Sequence, residues 1–425
     1  MYQSVDFDYL LVSQKQLRAF NCFWIGFIIY TLTSALYGIN FITNFKNAVA
    51  LQGMGAFIFL SSSLFLVHFK FENKYLKYSF WLYIFWLLSI IARGFSLNPQ
   101  FVSEMIIDDY TGIFPYLAPL ILLFPQKIIL YKRLFQVIIA AGVFYLILDA
   151  AYIRDLLNRD ISNVDSRSIV ESFSRHLGIP CTFLLIAYSY QTKKIKYFAL
   201  FITFITIVFA IIRARRGMLF TLVTPMLFAA FIYFLESKKK MPIFIISLIS
   251  VVFISIYGLA FFSESSFFSS FRSRADEDTR TGVEECYYND MKSTDWIVGR
   301  GINGQYYCPH FDPDSLTDYR PIIETDYLNI ILKGGIISFS LFLLITLPAV
   351  VKGIFYSSNN LSKAAGFWIL IWLMNLYPTT VVAFNLNYLL FWIAVGICYN
   401  KKIRSIPEEL MKVYFSRLAV VANQS

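Results

Sequence analysis

Charge is scarce in this chain: of its 425 residues only 15% are charged, against 57% that are apolar and 19% that are aromatic. That balance excludes an ordinary water-soluble domain, about a quarter of which is charged. The three histidines, His68, His176 and His310, have no metal-ligand spacing, so they predict neither a zinc cluster nor any other metal centre. Cysteine is thin too. Cys22, Cys181 and Cys398 lie in apolar runs as packing residues, while Cys286 and Cys308 share one polar stretch; a disulfide and two free thiols both fit that spacing. No Gly-Lys-Ser/Thr phosphate loop occurs, and no internal repeat supports an inverted-repeat transporter. The amino terminus has no small-residue cleavage site after a short hydrophobic region, which predicts an uncleaved anchor.

What is present is a succession of apolar blocks, each long enough to cross a ~30 Å hydrocarbon layer as a helix. They predict an all-α, polytopic transmembrane bundle forming a single integral membrane domain over 1–425. The expected spans are 20–38, 48–67, 78–95, 112–125, 134–152, 173–190, 197–212, 217–235, 241–262, 326–351, 364–380 and 386–400. Pro115 and Pro119 interrupt the fourth, so a tilted or re-entrant segment is an alternative there. The basic residues lie in short clusters between the blocks, which speaks for orientation in a membrane and against nucleic acid as a partner. Lys70/Lys74/Lys77, Lys127/Lys132/Arg133, Lys193/Lys194/Lys196, Lys238/Lys239/Lys240 and Lys401/Lys402/Arg404 all fall on one side. The positive-inside rule makes that side cytoplasmic, together with both termini. The polar stretches 153–172 and 263–325 then face outward, the latter as a large outer loop.

The two cations divide between the sides: 17 of the 20 Lys fall inside, whereas 13 of the 17 Arg fall at or near the outer side. Lysine anchors as a point charge, while the planar guanidinium fork matches phosphate and carboxylate bidentately. Arg213-Ala-Arg-Arg-Gly217 is so short a connection that Arg213, Arg215 and Arg216 sit at the outer surface. There they oppose the orientation signal, and a lipid-linked phosphate or pyrophosphate would offset the cost; snorkelling to ordinary headgroups is the plainer alternative. The outer loop ends in Tyr319-Arg-Pro-Ile-Ile-Glu-Thr-Asp-Tyr-Leu. This puts Glu324 and Asp326 where water meets lipid, either as a general base with its neighbour or as acids that start a helix capped by Thr325. Asp276/Asp278 and Asp312/Asp314 read as solvated loop acids, and His310 and His176 are accessible to an outer-face site. Tyr287, Tyr288, Trp296, Tyr306 and Tyr307 either stack on sugar faces or pack the loop.

In their order these features resemble the O-antigen polymerase and ligase superfamily, membrane glycosyltransferases that act on undecaprenyl-pyrophosphate-linked glycans. The resemblance covers roughly 200–350. It rests on Arg216-Gly217 in a short outer connection and on Arg280 upstream of Gly299-Arg-Gly301. At the start of the next span, Glu324-Thr325, nine residues and Gly335 occupy the slot of a His-Asn-x9-Gly motif. Glutamate in place of the histidine expected of ligases favours a Wzy-type O-antigen polymerase. The resemblance implies a GT-C-like bundle in a bacterial inner (plasma) membrane, with its active site facing the periplasm, in lipopolysaccharide or related surface polysaccharide biosynthesis. It also implies metal-independent glycosyl transfer without a cofactor, using an undecaprenyl-pyrophosphate-linked glycan as donor and another as acceptor, with membrane lipids and a chain-length regulator as further partners. Arg216, supported by Arg213, Arg215 and Arg280, would hold the donor pyrophosphate. Glu324 would be the catalytic base, and Arg320, Asp326 and His310 would contact glycan. A ligase transferring glycan to lipid A core and a flippase for the same lipid-linked sugar are the alternatives.

Overall fold

The computed structural model describes residues 12–157, 164–236, 280–309 and 317–422. The protein is mostly helical. Its first half runs α1 (Gln14–Tyr37), α2 (Phe45–Ser63), α3 (Lys74–Ala92), α4 (Pro99–Ile107), α5 (Phe114–Leu117), α6 (Ile128–Ala151), α7 (Ile153–Leu156), α8 (Val164–Phe173) and α9 (Cys181–Ile186). Then follow α10 (Lys193–Ile212), α11 (Arg216–Glu236), α12 (Thr281–Asp290), α13 (Ser293–Val298), α14 (Asp326–Phe355), α15 (Asn360–Asn375), α16 (Leu386–Tyr399), α17 (Lys401–Ser405) and α18 (Glu408–Ala422). A two-stranded antiparallel ribbon pairs Tyr306 with Arg320 and Tyr307 with Tyr319.

Local sequence sets many of the starts. Ser13, Asn44, Asn73, Thr192, Asn359 and Asn385 each accept a first-turn amide through the side chain, opening α1, α2, α3, α10, α15 and α16. Such caps satisfy donors that a helix start otherwise leaves unpaired, which matters most where no water reaches. α1 and α2 then pack backbone to backbone: a Cβ at Gly26 would lie 2.7 Å from the Gly55 carbonyl oxygen, so both positions need glycine. Gln16 meets His68 at one end of this hairpin, and Tyr37 meets Phe45 at the other.

Six helices among the described residues, α1, α3, α6, α10, α11 and α14, are long and apolar enough to cross a membrane. Their flanks carry large exposed apolar side chains, among them Leu82, Phe85, Phe204 and Leu227. A water-soluble bundle would turn such residues inward; here hydrocarbon is the solvent that covers them.

Two expected spans take another form. Region 112–125 is the single turn α5 followed by a 3-10 helix, Ala118–Leu123, because Pro115 and Pro119 each remove a backbone donor. Region 173–190 is broken into a π-helical turn at Ser174–Gly178, the short α9 and a 3-10 turn, with Pro180 between the first two. Region 241–262 lies outside the described residues. The helices α15 and α16 are shorter than 18 residues but pack in the bundle, Phe342 of α14 stacking on Phe391 of α16 at 5.6 Å.

The connections gather at two ends. One holds the lysine-rich segments, where Lys132 donates to the Phe415 carbonyl and Lys352 sits 5.1 Å over the Tyr399 ring. The opposite end holds the α3–α5 connection, the π-turn, the α10–α11 connection, residues 280–309 and 317–325 and the loop 376–385. All the arginines reported in the site below are at that end.

Candidate functional site

The loop after α15 is the hub of the arginine-rich end. Asp326, the first residue of α14, is buried, and its carboxylate accepts the amides of Val381 (2.7 Å) and Val382 (2.6 Å). Its own amide donates to the Leu376 carbonyl at 2.8 Å. From the 280–309 segment, Arg280 donates to the carbonyls of Tyr377 and Pro378, and its Nε lies 3.5 Å from the Glu324 carboxylate. Gly217 closes on the same loop from α11: a Cβ there would meet the Pro378 carbonyl oxygen at 2.6 Å, which is why glycine follows Arg216. Arg216, Arg280 and the Glu324–Asp326 stretch are distant in sequence, and this loop brings their backbones or side chains together.

The three clustered arginines diverge. Ala214 takes a left-handed φ of 52°, which turns the chain between α10 and α11. Arg213 is buried, Arg215 forms an ion pair with Glu171, and Arg216 is exposed at the start of α11. Glu324 is exposed as well, its side chain 60% accessible. Thr325 precedes α14 without capping it through its side chain; its hydroxyl bonds Glu284 instead. Arg320 lies on the ribbon, half-buried beside Tyr306. His310, Asp276, Asp278, Asp312 and Asp314 lie outside the described residues, and among the described residues no group of histidine, cysteine and carboxylate side chains is arranged to hold a metal.

The Trp296–Gly304 segment is built into the bundle. Gly299 and Gly335 have φ of 72° and 68°, and a Cβ at Gly299 would stand 2.5 Å from the Gly334 and Gly335 amides. This intimate crossing lets Arg300 N and Gly301 N bond the Leu332 and Lys333 carbonyls (2.7 and 2.9 Å), so Gly335 serves the seating of the 280–309 segment on α14. Lys333, buried in α14, donates to the carbonyls of Ile302 and Gly304. Arg300 is held by Asp295 at 2.8 Å and by Asp290, whose carboxylates keep its guanidinium charged. It braces the segment, as a paired cation. Cys286 and Cys308 are joined as a disulfide with Cα atoms 5.1 Å apart. The aromatics mostly pack: Tyr287 and Tyr306 are fully buried, and Tyr288 stacks on Trp296.

A second polar group, which sequence order does not single out, lies beneath this hub. The π-turn presents Arg175 and His176 toward the α4–α5 connection. His176 Nε2 lies 2.7 Å from the Asp109 carboxylate, and its Nδ1 lies 2.8 Å from the Ser172 carbonyl oxygen. Arg175 donates to the Tyr110 hydroxyl, and burial pushes that phenol up to about 12 despite the guanidinium beside it. The Asp109 carbonyl accepts from Phe384 N and the Arg175 carbonyl from Asn387, which ties this group to the hub loop and α16. Asp109, Tyr110, Glu171, Arg175 and His176 line a cavity of about 540 Å³. Tyr110 and Thr111 also line a smaller cavity that reaches Pro321, Ile322 and Asp326. One signal for this site is legible in the sequence: an ionisable Arg-His pair inside an otherwise apolar block, interrupted two residues on by Gly-Ile-Pro.

No family model matches this chain, and neither does any curated protein or solved structure.

Proposed function

We propose that the chain is a membrane glycosyltransferase of the Wzy-type O-antigen polymerase kind, joining undecaprenyl-pyrophosphate-linked oligosaccharide units at the outer face of a bacterial inner membrane. The observation that carries this reading is the convergence at one end of an apolar helix bundle of Arg280, Glu324 and the Arg216-Gly217 start of α11 on one loop. A polyprenyl tail fits the exposed apolar flank, while the charged head of such a lipid reaches the helix ends, where arginine forks suit phosphate oxygens. The disulfide in the outer segment accords with an oxidising compartment.

In the reaction, Glu324 takes the proton of an acceptor hydroxyl as its oxygen bonds the donor's anomeric carbon. The bond from that carbon to pyrophosphate breaks, and undecaprenyl pyrophosphate leaves with the electron pair. Arg216 and Arg280 offset the charge that builds on the leaving group, and Arg280 also orients Glu324. Arg213 and Arg215 stand behind them, and Arg320 on the ribbon contacts the glycan. The first test is complementation of cells lacking their polymerase, at matched membrane expression. Wild type should restore a ladder of repeat units, and Glu324→Gln and Arg216→Ala should each lose it. Ladders unaffected by Glu324→Gln remove the base. No ladder from wild type with its cognate unit moves the assignment to a ligase, if an acceptor such as lipid A core is modified, or to a flippase.

A further inference from the structure

The Asp109–His176 pair, Arg175 and Glu171 take no part in the chemistry above, yet they wall the cavity of about 540 Å³. The charges there are internally matched: Arg215 pairs with Glu171 and His176 with Asp109, while the Asp108 carboxylate takes the Tyr110 and Thr111 amides and the Thr111 hydroxyl. With Arg215 counted beside its partner Glu171, the carboxylates Glu104, Asp108, Asp109 and Glu171 still exceed the cations Arg175, His176 and Arg215 by one, so an anion entering this space finds no surplus of positive charge. What the wall offers is hydrogen bonding of both senses. The Ser172 carbonyl and the Asp109 carboxylate both only accept, so both ring nitrogens of His176 donate, Nδ1 to Ser172 and Nε2 to one Asp109 oxygen. The second Asp109 oxygen is an acceptor for a ligand hydroxyl. Tyr110, accepting from Arg175 and keeping its own proton, is a donor. Tyr37 and Phe45 add aromatic surface at the rim, their rings 6.5 Å apart. Paired charges, acceptors and donors side by side and flanking ring faces suit a neutral polyhydroxylated molecule.

We propose that this cavity is a saccharide-binding site, with Asp109 as its principal hydroxyl acceptor and His176 as the residue that positions Asp109; that the saccharide is part of the glycan being extended rests on the polymerase reading.

The probe is the free oligosaccharide released by mild acid from the lipid-linked pool of the cells that carry this chain, titrated into full-length protein in nanodiscs by calorimetry. Saturable binding is expected, weakened at least about tenfold by Asp109→Asn, as for loss of a charge-assisted hydrogen bond. Ser34→Phe, which fills the cavity from α1 and leaves every ion pair in place, should weaken it similarly while the protein elutes as a single species. Inorganic pyrophosphate should not displace the oligosaccharide. Unchanged binding in Ser34→Phe, or displacement by pyrophosphate or by calcium ions, overturns the site. The two readings fail separately. Binding that Ser34→Phe removes, in a protein that makes no ladder, refutes polymerisation alone; ladders and binding that survive Ser34→Phe refute the cavity alone.

Discussion

Gly335 illustrates how much one residue decides. Its φ of 68° lies in the left-handed region, where a side chain costs roughly 1–3 kcal/mol, and a Cβ there would also collide with the Ile297 carbonyl. Gly335→Ala should therefore lower the melting temperature in detergent and unseat the Trp296–Gly304 segment, whereas Gly53→Ala, where a Cβ meets nothing within 4 Å, should not. Equal melting of both variants and wild type would refute the account. Arg300 makes the complementary point: the residue between Gly299 and Gly301 looks like an anion ligand, yet two carboxylates already hold it. A sequence lists the cation and is silent on its partner. The same holds for Arg215, whose partner Glu171 lies 44 residues away by number, from 171 to 215.

At the scale of elements, the 280–309 segment and α14 behave as one unit. Lys333 closes it from inside α14 by donating to Ile302 and Gly304. Lys333→Met keeps the apolar stem and deserts two carbonyls, each at a cost of about 1–3 kcal/mol if no water replaces the amine. Hydrogen exchange over 299–305 should accelerate with little change in α1 and α2; uniform protection would show that the latch does not hold the segment. The Cys286–Cys308 bond shortens the same segment's unfolded excursions over a separation of 22 residues. In the chain-entropy account it stabilises by about 3 kcal/mol. Replacing both cysteines by serine should increase protease nicking between 280 and 309 before any loss of the bundle. The π-turn is the third such element: its Arg-His pair is turned out of an apolar block onto a cavity wall, where regular α-helix would have continued the block.

At the scale of the whole molecule, the bundle has a lysine-rich end and an arginine-rich end, and orientation is the open physical variable. A cysteine introduced at Thr317, in a background with exposed Cys22 replaced, should react on intact cells with a membrane-impermeant maleimide, and one at Lys77 should react only after lysis. The reverse pattern would invert the membrane placement and remove the outer-face reading with it. Helical class and membrane residence are written in the sequence itself, because a scarcity of charge and blocks of apolar residues act locally and leave lipid as the matching solvent. Six of the twelve expected span positions follow for the same reason. The break at 112–125 is half-legible through Pro115 and Pro119, but 173–190 reads in sequence as an unbroken span, and its π-turn depends on packing around Arg175 and His176. Arg280 and Glu324 could be named from residue type and order. Their meeting, the burial of Asp326 under two amides, the pairing of Arg300 and the cavity behind Asp109 were decided only by tertiary structure. Arg300 apart, whose partners Asp295 and Asp290 lie five and ten positions away, these are contacts between residues tens of positions apart, and side-chain partners at that separation are chosen by how helices cross.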